Sequence, residues 1–409
     1  MAVIEHEDMP KSIFGIQGLN LWNILFLIIF LAWLFSRRRE NLRWDIPRHI
    51  SILFLMYLGV IIIGVLRAVF DRSHIEDYPL SSLISEELIN TIKWVLPGLL
   101  LFDGCRTRSR VIMTFVCLLS LYFVISVLVV RNMPPEAALS SNSDIMDYKR
   151  LKLNERVGYS AADISVMLGG ACWGIISALQ LLHKNIYKLL ALAAAGVVAY
   201  GQALTGGRAG YVAWVTTGLL MCIIKWRKYL ILAPVIIIIL PVIFPGVAAR
   251  MLEGFGQIDV TGKSMIDNDA VSAGRTTAWP YVIDKVGQSP FIGYGRLAMV
   301  RTGLYCTIET EHPGTGASHP HNIYLETLLD NGILGSIPIL LFWFIVVVYS
   351  ASLFKCNNRL YSAVGGLSLS LTLSSLLAGI GGQHFYPQEH TLGIWTALYL
   401  SLRVYVEQK

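Results

Sequence analysis

The chain has 409 residues, 55% of them hydrophobic and 15% charged, and a formal net charge of +6. That is more apolar than a soluble domain of this length tolerates, so the chain reads as an all-α integral membrane protein whose apolar runs cross about 30 Å of hydrocarbon as helices; the alternating pattern of a β-barrel does not fit. The excess positive charge sits in short loops between those runs, which excludes it as a nucleic-acid surface.

In chain order the spans fall at Phe14–Phe35, Ile50–Phe70, Leu88–Phe102, Val111–Val130, Ala161–Leu182, Leu189–Leu204, Ala209–Ile224, Leu230–Val247, Ile333–Ser350, Ser362–Ile380 and Leu392–Val406. The expectation is about eleven helices, within a range of about 10–12. Pro97 and Gly98 interrupt the third, which makes a broken or re-entrant segment the alternative there.

Lys and Arg collect in alternate loops: Arg37, Arg38, Arg39, Arg43 and Arg48, then Arg106, Arg108 and Arg110, then Lys184 and Lys188, then Lys225, Arg227 and Lys228, then Lys355 and Arg359. By the inside-positive bias these loops face the cytoplasm, with the acidic N-terminus outside and the C-terminus inside. The first apolar segment follows an acidic start and precedes an arginine cluster, so it reads as a retained helix and not as a cleaved signal peptide.

The opposite face holds Asp71–Glu87, Arg131–Ser160 and a large segment from Ala248 to Gly332. The chain divides accordingly into a helix bundle at 1–247, an external loop at 248–332 and terminal helices at 333–409. Of six cysteines only Cys306 lies outside, so no exported disulfide framework is expected.

Between Arg250 and Asp330 six basic residues stand against nine acidic ones, so an anion site in this loop has to be built from a few placed arginines. Arg275-Thr-Thr-Ala-Trp-Pro-Tyr-Val-Ile-Asp-Lys-Val286 carries Trp279, Val282, Ile283 and Val286 at helical spacing and is followed by the turn-rich Gly287–Gly295. Arg275 would stand at the start of that helix, either clamping a phosphate or touching lipid headgroups. Arg208, set among Gly206, Gly207 and Gly210 at the outer end of a span, either snorkels to the interface or faces the bundle as a functional charge.

Ser318–Gly335 reads SHPHNIYLETLLDNGILG. Ser318 or Asn322 can cap a helix that Asn331–Gly332 punctuates before the membrane. Three roles compete for His319 and His321: a metal site with Glu309, Glu311 or His312, plain interfacial histidines, or a general base at a dry rim.

Here the sequence resembles the O-antigen ligases and their relatives, the O-antigen polymerases and protein O-oligosaccharyltransferases. The ligase pattern is His, then Asn, Ser or Gln, nine residues, Gly, two residues, then Gly, Thr or Tyr; His321, Asn322, Gly332 and Gly335 fit it. Arg208 and Arg275 match the family's two arginines, the SPFIGYG turn is similar, and a weaker similarity surrounds Arg156. The N-terminus departs from the family in lacking a helix that many members have.

The resemblance implies a GT-C-like glycosyltransferase that moves O-antigen polysaccharide from undecaprenyl pyrophosphate to a sugar hydroxyl of lipid A-core, on the periplasmic face of a Gram-negative inner membrane. His321 would be the base and Arg208 and Arg275 the pyrophosphate ligands, with inversion and no metal or other cofactor. His319, Asn322, Arg156 and Gln383 would be supporting residues. A polymerase or a protein O-oligosaccharyltransferase keeps the fold and changes the acceptor. A flippase for the same lipid-linked glycan is a different class; it calls for polar residues at midspan, and the spans carry few. His384 and His390, in the turn before the last span, either complete the cleft or cap it.

Overall fold

The computed structural model describes residues 12–14, 16–17, 19–139, 143–253, 255, 257–258, 264–265, 275–314 and 317–408. The acidic start of the chain, Lys263 and the loop acids Asp259, Asp267 and Asp269 lie outside the described residues. Nearly all of the described chain is helical. Its extended pairings are two antiparallel pairs of two residues each, Ser12–Ile13 with Ile16–Gln17 and Gln257–Ile258 with Ser264–Met265.

The principal helices are α1 (Leu21–Arg39), α2 (Arg48–Phe70), α3 (Thr91–Gly104), α4 (Arg108–Asn132), α5 (Ser143–Val157), α6 (Ala161–Ala178), α7 (Asn185–Leu204), α8 (Arg208–Ile224), α9 (Ala233–Ile243), α10 (Pro245–Met251), α11 (Arg275–Gln288), α12 (Leu304–Glu311), α13 (Ile323–Lys355), α14 (Arg359–Ala378) and α15 (Leu392–Gln408). Side-chain caps fix several starts: Asn20, Thr107, Ser160, Asn322 and Asn358 each accept a backbone N–H from the first turn that follows. The Asn20 cap explains why the first helix begins at Leu21 and not at Phe14, which sits in the turn of the first strand pair.

Among the described residues seven helices are long and apolar enough to cross a membrane, or eight if the bent pair Arg227–Ile243 and Pro245–Met251 forms one span. That pair breaks by 102° at Phe244, where Pro245 has no N–H to continue the ladder. The other expected spans, on α3, α8 and α15, also fall on helices, but shorter ones of 14, 17 and 17 residues. The third segment is not interrupted: α3 runs through Pro97 after a π-helical turn at Ser85–Asn90. Its Gly98 is pressed onto α15, where a Cβ would lie 2.7 Å from the Trp395 carbonyl oxygen.

One hydrophobic core collects residues from Ile46 to Val404, with Tyr57, Phe342 and Trp395 stacked at its centre. Small residues bring α6 and α14 close: Cβ atoms at Gly170 and Gly174 would strike Leu371 and Leu367.

The two ends of this bundle differ. At one end Arg37 and Arg106 pair with buried Asp103, and Arg106 and Arg403 pair with Asp45, tying α1, α3 and α15 together. At the other end α2 meets the segment after α11, with Arg67 donating to the carbonyls of Ile292 and Gly293 at 2.6 and 2.8 Å.

At this second end α13 breaks at Gly332, whose φ of 59° and ψ of −171° belong to a region open only to glycine. The break frees backbone groups on both sides, and the Pro290–Gly295 turn takes them up. Tyr294 and Gly295 donate to the carbonyls of Leu329 and Asp330, while Ile333 and Leu334 donate to those of Pro290 and Phe291. A Cβ at Gly332 would lie 2.3 Å from the Phe291 carbonyl carbon. The part of α13 before Gly332 thus ends against the turn that closes α11, which fixes the position of the histidine segment at its other end.

Candidate active site

The histidine segment runs into α13 through Asn322, whose Oδ1 accepts the N–H groups of Tyr324 and Leu325 at 3.0 and 3.2 Å. Asn322 is 8% exposed, so its side chain is committed to the cap. His321 precedes it with φ of 50°. This left-handed turn folds the His321 ring against that of His319, 4.1 Å between centroids, and His319 Nδ1 accepts the His321 N–H at 3.2 Å. His319 therefore supports the turn that aims His321.

The start of α11 is held against this segment. Trp279 Nε1 donates to the Pro320 carbonyl at 2.9 Å, between the two histidines. Arg275 lies one helical turn earlier on the same face. Its Nε is buried without a hydrogen-bond partner, and its guanidinium packs beside Gly381 in the α14–α15 connection. Burial, then the positive charges of Arg208 and Arg150, make the charged form of Arg275 less favourable than usual. An arginine remains protonated even so, which leaves Arg275 charged within electrostatic reach of Arg208 and Arg150.

Arg208 opens α8 where the glycines permit close approach. Gly206 has φ of 68°, and Cβ atoms at Gly207 and Gly210 would strike Ser165 of α6. Arg208 is 3.8 Å from Glu253, which Arg250 also contacts, so one carboxylate is shared between two arginines. The free amides at the start of α8 add to the positive potential.

His321 is held neutral. Burial, then His319, Arg275 and His384, push its pKa down to about 4. Burial is also the main reason that His319 titrates lower than usual. The geometry therefore sets an unprotonated imidazole beside an arginine cluster, an arrangement that can accept a proton from a hydroxyl next to a bound anion.

The remaining expected residues are placed elsewhere. Arg156 is exposed at the end of α5, 3.3 Å from the Asn132 amide oxygen. Gln383 donates to both carboxylate oxygens of Glu326, at 2.6 and 2.7 Å, and so belongs to an ion network behind the histidines. That network is centred on Arg296, which binds Glu87 and Glu326 at 2.6 Å each and Asp330 at 3.3 Å. Burial opposes the charge on Arg296, and the surrounding carboxylates more than offset it, holding the guanidinium protonated well above its ordinary range. A small cavity lined by Arg296, Glu326, Asp330, Tyr57 and Tyr386 adjoins it.

The metal grouping from His319 and His321 with Glu309, Glu311 or His312 is not assembled: Tyr281 bonds to both Glu311 and His312, and Glu309 accepts the Gly314 N–H. Among the described residues the one trio of metal-capable side chains within ligand distance is Asp163, His384 and His390.

Fold and site together define a multi-pass helical membrane protein with arginines and histidines gathered at one end of the bundle. Residues 193–340, from α7 into α13, match the model of the O-antigen ligase family. That stretch contains Arg208, Arg275 and His321 and bears out the resemblance read from the sequence; members of the family are glycosyltransferase-like enzymes. No curated protein matches the chain at a significant level.

Proposed function

We propose that this protein is an O-antigen ligase that transfers O-antigen polysaccharide from undecaprenyl pyrophosphate to a sugar hydroxyl of lipid A-core. The reading includes eleven crossings in a GT-C-like arrangement and a cleft on the periplasmic face of the inner membrane. The single observation that carries it is Arg275, half-buried beside Arg208 and Arg150 with an unpartnered Nε, next to the neutral ring of His321.

In this mechanism Arg275 and Arg208 bind the pyrophosphate of the donor. The acceptor hydroxyl gives its proton to His321, its oxygen attacks the anomeric carbon, and the bond from that carbon to pyrophosphate breaks with inversion. Negative charge grows on the leaving oxygen, where fixed guanidinium groups lower the barrier most. The product is a glycosidic bond to the core and free undecaprenyl pyrophosphate. Three arginines within electrostatic reach of one another, one of them with a buried and unbonded Nε, support an anionic ligand over a purely structural role.

The test is purified protein with a pyrophosphate-linked donor and rough lipopolysaccharide as the sole acceptor. Glycan on lipopolysaccharide is the expected product. Lengthened donor chains with unmodified lipopolysaccharide would instead assign a polymerase.

A further inference from the structure

We propose that Asp163, His384 and His390 form a binding site for a divalent transition-metal ion of the Zn2+ type, which clamps the α14–α15 connection onto the first turn of α6. The three side chains come from the start of one helix and from a connection 221 positions away, and their ligand atoms all lie within 4.8 Å of one another. Asp163 Oδ1 is 3.0 Å from His384 Nδ1 and 3.7 Å from His390 Nε2. A tetrahedral ion with bonds of about 2.0–2.1 Å sets its ligands roughly 3.4 Å apart, and the two separations to Asp163 lie on either side of that distance.

The surroundings orient each ligand. Ser160 Oγ donates to Asp163 Oδ2 at 2.5 Å and accepts the Asp163 N–H at 3.1 Å, which leaves Oδ1 to face the histidines. The His390 ring is hydrogen-bonded to the Gln383 backbone while its Nε2 is buried and has no hydrogen-bond partner. The donor to Gln383 is therefore Nδ1, and Nε2 of the neutral ring carries a lone pair. Both histidines are buried, at 3% and 5% exposure. A buried lone pair facing a carboxylate oxygen beyond hydrogen-bonding distance is unfavourable unless a cation lies between them.

A set of two imidazoles and one carboxylate suits Zn2+ and similar borderline ions and is too nitrogen-rich for Mg2+ or Ca2+. Three protein ligands leave a fourth position, and Asp163 keeps the only partly exposed edge, at 22%. The ion would hold the segment that carries Gln383 against Glu326 and Gly381 against Arg275. Its role is to secure the wall of the cleft, while the transfer chemistry rests with His321 and the arginines.

The experiment uses the untagged full-length protein in detergent, stripped with chelator and then titrated with Zn2+ and with Co2+. Expected are one equivalent of tightly bound metal by elemental analysis, the visible absorption of four-coordinate Co2+, and a melting temperature that rises on Zn2+ addition. His390→Gln and Asp163→Asn should lose all three signals, whereas His312→Ala, an exposed histidine outside the trio, should keep them. Wild-type protein that stays metal-free and melts at the same temperature with and without Zn2+ would overturn the proposal and leave a protonated His390 as the cation facing Asp163. Equal metal in wild type and in either ligand variant would overturn it as well.

Discussion

The indole N–H of Trp279 donates to the carbonyl of Pro320 at 2.9 Å, and this bond ties the helix that carries Arg275 to the turn that carries His321. Trp279→Phe keeps the ring's apolar contacts and removes the bond. Stability should fall by only about 0.5–1.5 kcal/mol, the worth of one hydrogen bond. Transfer should fall on the order of 10- to 100-fold, because Arg275 and His321 lose their common reference. Thermal melting beside initial rates separates the two effects; equal rates in variant and wild type would show that the bond positions nothing.

The low pKa of His321 makes a pH prediction with a definite sign. The folded free enzyme protonates His321 only near about pH 4, against 6.5 for an unperturbed imidazole. Between those values the unfolded chain binds the extra proton, so this contribution to stability is full above about pH 6.5 and is lost as pH falls toward the folded pKa. The acid limb of kcat/KM should accordingly lie near 4. Bound pyrophosphate screens Arg275, so the limb in kcat should lie higher. Coincident limbs at 6.5 would mean that the ring is not desolvated in the way described.

Removing Arg275 or Arg208 as Ala should weaken donor use by about 2–5 kcal/mol each, if they meet desolvated phosphate. A direct donor-binding measurement reads this without turnover. Unchanged affinity would assign both arginines to lipid headgroups.

Gly332→Ala should cost about 3 kcal/mol or more, since it puts a side chain into a glycine-only conformation against the Phe291 backbone. The loss should appear as reduced folded yield and a lower melting temperature. A variant as stable as wild type would mean that α13 can straighten at no cost.

Arg296→Leu leaves Glu87, Glu326 and Asp330 facing one another and should destabilise by about 3–5 kcal/mol. Adding Glu326→Gln should recover part of that loss, because it removes one of the stranded charges. A double variant less stable than the sum of the two single changes would refute the network.

Much of this architecture is legible in the sequence because membrane helices announce themselves by length and apolarity, and the core of the site lies in short patterns. His321, Gly332 and Gly335 fall within one run of fifteen positions, and Arg208 is marked by the glycines around it. Asn322 is legible as a cap. Other contacts are not legible locally, because the partners are far apart in the chain. Gln383, expected as a supporting residue, donates to Glu326, 57 positions away. Arg296 looks like one more loop arginine, since Glu87 lies 209 positions away. Asp163 gives only a capping signal with Ser160, and nothing local connects it to His384. The helices α3 and α15 pack on each other and run for only 14 and 17 residues, so the apolar runs mark them in the sequence while their helical length falls short of a long span.

The central claim is that a neutral His321 takes the acceptor proton while Arg275 and Arg208 hold the pyrophosphate. The most direct measurement is transfer to rough lipopolysaccharide by purified His321→Ala, paired with its affinity for the pyrophosphate-linked donor. The account predicts no detectable glycan transfer with donor affinity close to that of the wild type. Transfer at the wild-type rate, or loss of donor binding in a correctly folded variant, would contradict it.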